Sequence, residues 1–141
     1  ERLVWRSAKS WAMERLKEDQ ATFTELQKKF VENQQQIKQT QWQLRTREKE
    51  VTRAELTVQE LSVLPDGTNT YKALGRAFVL EDKGSLVKHF EGAIKGGQEE
   101  AVSSKGKLEY LEKSRADIET SIKELLSSNE LLAKSLLGAQ G

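Results

Sequence analysis

The sequence predicts a mainly α fold: a long antiparallel α-helical coiled-coil hairpin with one small β-hairpin between its two helices. Three observations carry this. Two stretches keep an apolar heptad repeat, the spacing of a helix that buries a narrow stripe against another helix. The one proline lies between them, followed by a short segment whose apolar pattern no longer fits a helix. The composition is too polar for a thick core, with 36% hydrophobic and 32% charged residues, and only 9 glycines and one proline in 141 residues. So few turn formers argue against a sandwich or barrel.

The same composition narrows function. No run approaches the roughly 18 apolar residues of a membrane span. With no cysteine, disulfide frameworks, thiolate metal sites and cysteine nucleophiles are excluded, which suits a reducing compartment. Lys and Arg number 23 against 22 Asp and Glu, so there is no basic footprint for nucleic acid. His89 is the only histidine and falls one residue off the heptad seam, where a solvated helix residue is expected. Adjacent carboxylates such as Glu99 and Glu100 point to different helix faces. No phosphate loop, nucleophile triad or metal cluster is legible. The expectation is a non-enzyme without cofactor or metal, binding neither nucleic acid nor membrane.

Residues 1–15 read as a leader, disordered or foreign to the domain. They hold Trp5 and Trp11 with Arg2, Arg6 and Lys9 but no clear helical stripe; a transit peptide is the lesser reading. The domain proper is expected over 16–137. Its first helix, 16–62, carries an unbroken series Leu16, Phe23, Phe30, Ile37, Leu44, Val51, Val58. The companion series is Asp19, Leu26, Asn33, Thr40, Arg47, Ala54, Leu61. At ~1.5 Å per residue such a helix runs roughly 70 Å. The amide-rich stretch from Asn33 to Gln43 is a solvated helix face, and Trp42 lies off the seam, either a surface aromatic or a partner contact.

Pro65 disfavours helix at Leu64, and Pro65-Asp66-Gly67 suits a type I turn with the proline second and the glycine fourth. The following TYKALGRAFVLE reads as strand, turn, strand over 69–81, with Gly75 first in a type II′ turn. Asp82 is a candidate N-cap for a second helix over 83–137. Its two series are Val87, Ile94, Ala101, Leu108, Arg115, Ile122, Asn129, Leu136 and Phe90, Gly97, Ser104, Leu111, Ile118, Leu125, Leu132. Folded antiparallel, the two repeats match in a register in which every facing pair has the same sum of residue numbers; shifts by whole heptads keep the seam but move the fold point off the turn. Leu74, beside the predicted turn, lies at half that sum. Phe23 then faces Leu125, Ile37 faces Leu111, and Asn33 meets Arg115 in a polar layer that sets register at some cost in stability. The layers Leu44/Ser104, Arg47/Ala101 and Val51/Gly97 are expected to be weak.

A lone β-hairpin is marginal in water, and this one carries Tyr71, Leu74, Phe78, Val79 and Leu80 on both faces. Assembly with other hairpins is the expected reason. Packing of these residues on their own helices is the alternative. A long helix, TNTYKALGRAFVLEDK, and a second long helix with LEYLEK resemble the prefoldin family over about residues 16–132. The specific residues are Tyr71, Lys72, Gly75, Arg76, Phe78, Val79 and Leu80, then Leu108, Tyr110, Leu111 and Glu112. With room for only one hairpin, the chain is similar to the β-type subunits.

That resemblance implies a subunit of a hexameric, ATP-independent cytoplasmic chaperone built from two α-type and four β-type subunits. It implies capture of unfolded clients, notably actin and tubulin, and their delivery to the group II chaperonin. Tyr71, Leu74, Gly75, Phe78, Val79 and Leu80 would serve subunit assembly. The ends of the helices far from the hairpin would hold clients through Leu16, Phe23, Leu125, Leu132, Leu136 and Leu137. The rival expectation is a structural coiled-coil subunit of a scaffold or tethering complex that binds no client.

Overall fold

The structure is a computed structural model and describes residues 1–139. Helix α1 runs Arg2–Val63, strands β1 and β2 span Thr70–Leu74 and Ala77–Glu81, α2 spans Lys83–Ser128, and a short α3 spans Glu130–Gly138. This is the predicted mainly α architecture with one antiparallel hairpin between the long helices. The chain divides into two compact units, Glu1–Lys38 with Glu109–Gly141, and Gln39–Leu108.

The first helix starts at Arg2, well before the expected residue 16. Residues 2–15 contain no glycine or proline, and eight of the fourteen are Ala, Arg, Leu, Lys or Glu. Such residues extend a helix that is already nucleated at little cost. A stripe is present after all: Trp5 and Ala12 continue the Asp19, Leu26 series backwards. Arg2 and Lys9 at the other seam position hide it from a periodicity count.

In the first unit the core lies on Asn33, Ile37, Leu111 and Leu132, all buried. The Asn33 amide donates to the Leu111 carbonyl at 3.0 Å rather than meeting Arg115. The Arg115 guanidinium instead lies 3.5 Å from Glu119 on its own helix. A short amide reaches a backbone oxygen one turn away, whereas a guanidinium is too costly to bury without a carboxylate. The Asn33 Oδ1 atom is buried without a hydrogen-bond partner. An unpaired buried amide oxygen of this kind costs stability. The expected continuity of the second helix also fails here, since Asn129 leaves the helix with φ −135° and ψ 94°.

In the second unit Thr40, Ala54, Leu86 and Ala101 are buried. Arg47 is the one exposed residue of the two seam series. It turns outward to Glu50 at 2.8 Å and Glu100 at 2.5 Å, for the same desolvation reason. Lys105 reaches Glu48 at 3.3 Å. The Val51/Gly97 layer is close rather than loose. A Cβ built on Gly97 would lie 2.5 Å from the Val51 Cγ2 atom.

The turn after α1 falls one residue later than expected. The Thr68 N–H donates to the Pro65 carbonyl at 3.2 Å, which puts Gly67, at φ 86°, third in the turn. A positive φ at that position is the requirement of a type II turn, and glycine meets it without strain. Lys83 then donates to the Leu64 carbonyl at 2.8 Å, placing a cation at the C-terminal end of α1, where the helix dipole favours one. Asp82 caps α2 as expected, its Oδ2 accepting from the Ser85 N–H at 3.4 Å.

Candidate functional site

The hairpin is assembled by local chemistry. Strand partners are Thr70 with Glu81, Tyr71 with Leu80, Lys72 with Val79, Ala73 with Phe78 and Leu74 with Ala77. Gly75 has φ 60°, and among the described residues no non-glycine residue has a positive φ. Arg76 therefore excludes a type I′ turn, and the expected type II′ turn fits. The Thr70 hydroxyl closes the open end by donating to the Glu81 carbonyl at 2.5 Å.

Side chains alternate along a strand and directly opposed residues share a face. One face thus carries Tyr71, Ala73, Phe78 and Leu80. The other carries Lys72, Leu74, Ala77 and Val79. Both faces are exposed: Phe78 is 75% accessible, Leu74 66% and Leu80 61%. The packing of these residues on their own helices, the bland alternative, is not what the structure has. The sheet has only two strands, so each strand also offers an outer edge of unpaired N–H and carbonyl groups.

A second group of predicted residues lies in the first unit. Leu16, Phe23, Leu125 and Leu136 are half-buried. Leu132 is fully enclosed at 0% exposure, while Leu137 is 73% exposed. Leu132 therefore acts as the anchor of α3. Leu131, off the heptad, is also exposed. The break that creates α3 is built on Asn129. Its side-chain oxygen accepts from the Leu132 N–H at 3.1 Å, an N-cap. Its amide nitrogen donates to Asp19 at 2.7 Å. Asp19 and Asn129, both seam positions, are thus joined by a hydrogen bond that pins the base of α3. Reading Asn129 as a cap was within reach, because an asparagine just before an apolar stretch, here Leu131-Leu132-Ala133, is an N-terminus signature; the heptad masked it.

Among the described residues no cluster of His, Asp and Glu could hold a metal ion. None of their helices is long and apolar enough to cross a membrane.

Long helices flank one small hairpin whose apolar side chains are exposed. Residues 24–129 match the family model for the prefoldin subunit. The chain is 39% identical over 117 residues to prefoldin subunit 1 of Arabidopsis thaliana, covering 83% of this chain and 91% of that protein. It is 34% identical over 104 residues to prefoldin subunit 1 of Homo sapiens, covering 74% and 85%. A prefoldin β subunit of Thermococcus strain KS-1 aligns with TM-score 0.48 and 22% identity over 76% of this chain and 88% of that one. The chain belongs to the prefoldin subunit family. That is a family of chaperone subunits, and membership implies assembly with other prefoldin subunits.

Proposed function

We propose that this chain is a β-type subunit of a cytoplasmic, ATP-independent chaperone hexamer of two α-type and four β-type subunits. It captures unfolded proteins of the actin and tubulin kind and delivers them to the group II chaperonin. The observation that carries this reading is the hairpin, with Tyr71, Leu74, Phe78, Val79 and Leu80 exposed on two faces and both edges open. A scaffold rod needs only a short polar turn there, and exposed apolar surface of this kind marks an interaction site. Tyr71, Leu74, Gly75, Phe78, Val79 and Leu80 serve assembly in this reading. Client capture falls to the end of the first unit that holds Leu16, Phe23, Leu125, Leu132, Leu136 and Leu137.

Physically, capture needs apolar surface that is accessible or cheaply uncovered. Leu131 and Leu137 are already exposed. Leu136, half-buried on α3, becomes accessible if α3 moves about Asn129. Burial against an unfolded chain is worth roughly 25 cal/mol per Å², and several subunits gripping together multiply weak contacts. The test deletes residues 1–18 together with 131–141. The hexamer should still form, because the hairpin is untouched, while suppression of client aggregation should fall. Full protection by the shortened complex would remove client binding from this end.

A further inference from the structure

The helical segment 2–13 lies before the residues that match the family model and carries two separate faces. Val4, Ala8 and Trp11 follow helical spacing on one side, and Trp5 and Ala12 lie on the flank between that row and the cations. Val4, Trp5 and Trp11 are exposed by 69%, 69% and 63%. Arg2, Arg6 and Lys9 form a row on the other side at the same spacing, and no acid interrupts them between Glu1 and Glu14. Among the described residues none of these three cations has an ion-pair partner. Between Trp11 and Leu131 lies a cavity of about 380 Å³, also lined by Arg15 and Asn129, with the Arg15 guanidinium 5.6 Å from the Trp11 ring.

From this juxtaposition we infer that segment 2–13 receives acidic, aliphatic-bearing stretches of unfolded polypeptide. The inference rests on the reading of this end as the place of client capture and adds the chemistry of what is preferred. The tryptophans give flat apolar surface at low entropic cost, and the cation row supplies charge complementarity that steers and selects. A single extended strand suits the site better than an anionic membrane. Glu14, Glu18 and Asp19 line one surface with Trp11 and Arg15, at the C-terminal end of the segment. A charged sheet would be repelled by these carboxylates, while a strand need touch only the basic stretch.

The test uses the full chain assembled with its partner subunits and two labelled unfolded peptides of equal aliphatic content, one carrying glutamates and one carrying lysines. Anisotropy titrations should show about tenfold tighter binding of the acidic peptide, since exposed ion pairs each add only a few tenths of a kcal/mol to about 1. The preference should shrink as salt is raised. The triple variant Arg2→Gln, Arg6→Gln, Lys9→Gln should abolish it and leave lysine-peptide binding unchanged or improved. Trp5→Ala with Trp11→Ala should weaken both peptides alike. Equal binding of the two peptides by the unaltered complex overturns the charge preference and leaves the capture reading standing. A preference that survives the triple variant also overturns it. Failure to bind either peptide overturns the capture reading and this inference with it. Binding of phosphatidylserine vesicles without peptide preference would assign the segment to membranes instead.

Discussion

Replacing Gly97 with alanine probes the close pairing of the second unit. The added Cβ would sit 2.5 Å from the Val51 Cγ2 atom, where carbon atoms prefer roughly 3.5–4.0 Å. Val51 cannot easily rotate away, because a β-branched residue in a helix has one strongly preferred rotamer. Over about 1 Å must therefore be found by moving one helix segment from the other. Overpacking of this kind costs roughly 1–3 kcal/mol. The helix gains about 1 kcal/mol from exchanging glycine for alanine, so the net destabilisation is about 0–2 kcal/mol.

The neighbouring Gly96 supplies the internal control. A Cβ there meets nothing within 4 Å, so Gly96→Ala should stabilise by roughly 0.5–1 kcal/mol. The two variants share chain position and propensity change and should differ by about 1–3 kcal/mol in urea unfolding followed by circular dichroism. Val51→Ala in the Gly97→Ala background should relieve the clash, giving a coupling above about 1 kcal/mol in a double-mutant cycle. Equal midpoints for Gly96→Ala and Gly97→Ala would refute the reasoning.

Three further outcomes are expected. Phe78→Asp places a charge in the proposed hairpin interface and should abolish hexamer formation in native mass spectra while leaving helix content intact; an unchanged mass would count against hairpin assembly. Asn33→Leu removes a buried carbonyl oxygen with no partner and should raise stability by about 1–2 kcal/mol, and a lowered urea midpoint would contradict the view that Asn33 is kept for register. Asn129→Ala removes both the cap on Leu132 and the bond to Asp19, which should cost about 1–2 kcal/mol and speed amide exchange over residues 130–138. Unaltered protection there would show that α3 does not hang on Asn129.

Much of the fold was legible because its forces are periodic or local. The heptad names the buried stripe without any knowledge of the partner, and every residue of the seam series but Arg47 is sheltered. The hairpin follows from Gly75 and two apolar runs, and its register, Tyr71 opposite Leu80, follows from the turn length. The exposure of the hairpin's side chains was legible from their number, since apolar groups on both faces cannot all be covered by two helix ends. The candidate capture end was less so. There, periodicity placed Leu136 and Leu137 in an unbroken helix, and the cap formed by Asn129 overrode it.

What the sequence by itself determined is the antiparallel pairing and its fold point, since one register alone matches apolar positions to each other and the turn to Leu74. What only the tertiary structure decided is which atoms meet within that register. Asn33 chose the Leu111 carbonyl over Arg115, Arg47 left the seam for Glu50 and Glu100, and Gly97 proved a contact with Val51. Periodicity records that a position faces inward. Whether a polar or small group there is buried, turned out or pressed against its neighbour depends on side-chain reach, desolvation and backbone separation, and those exist only once the helices are packed.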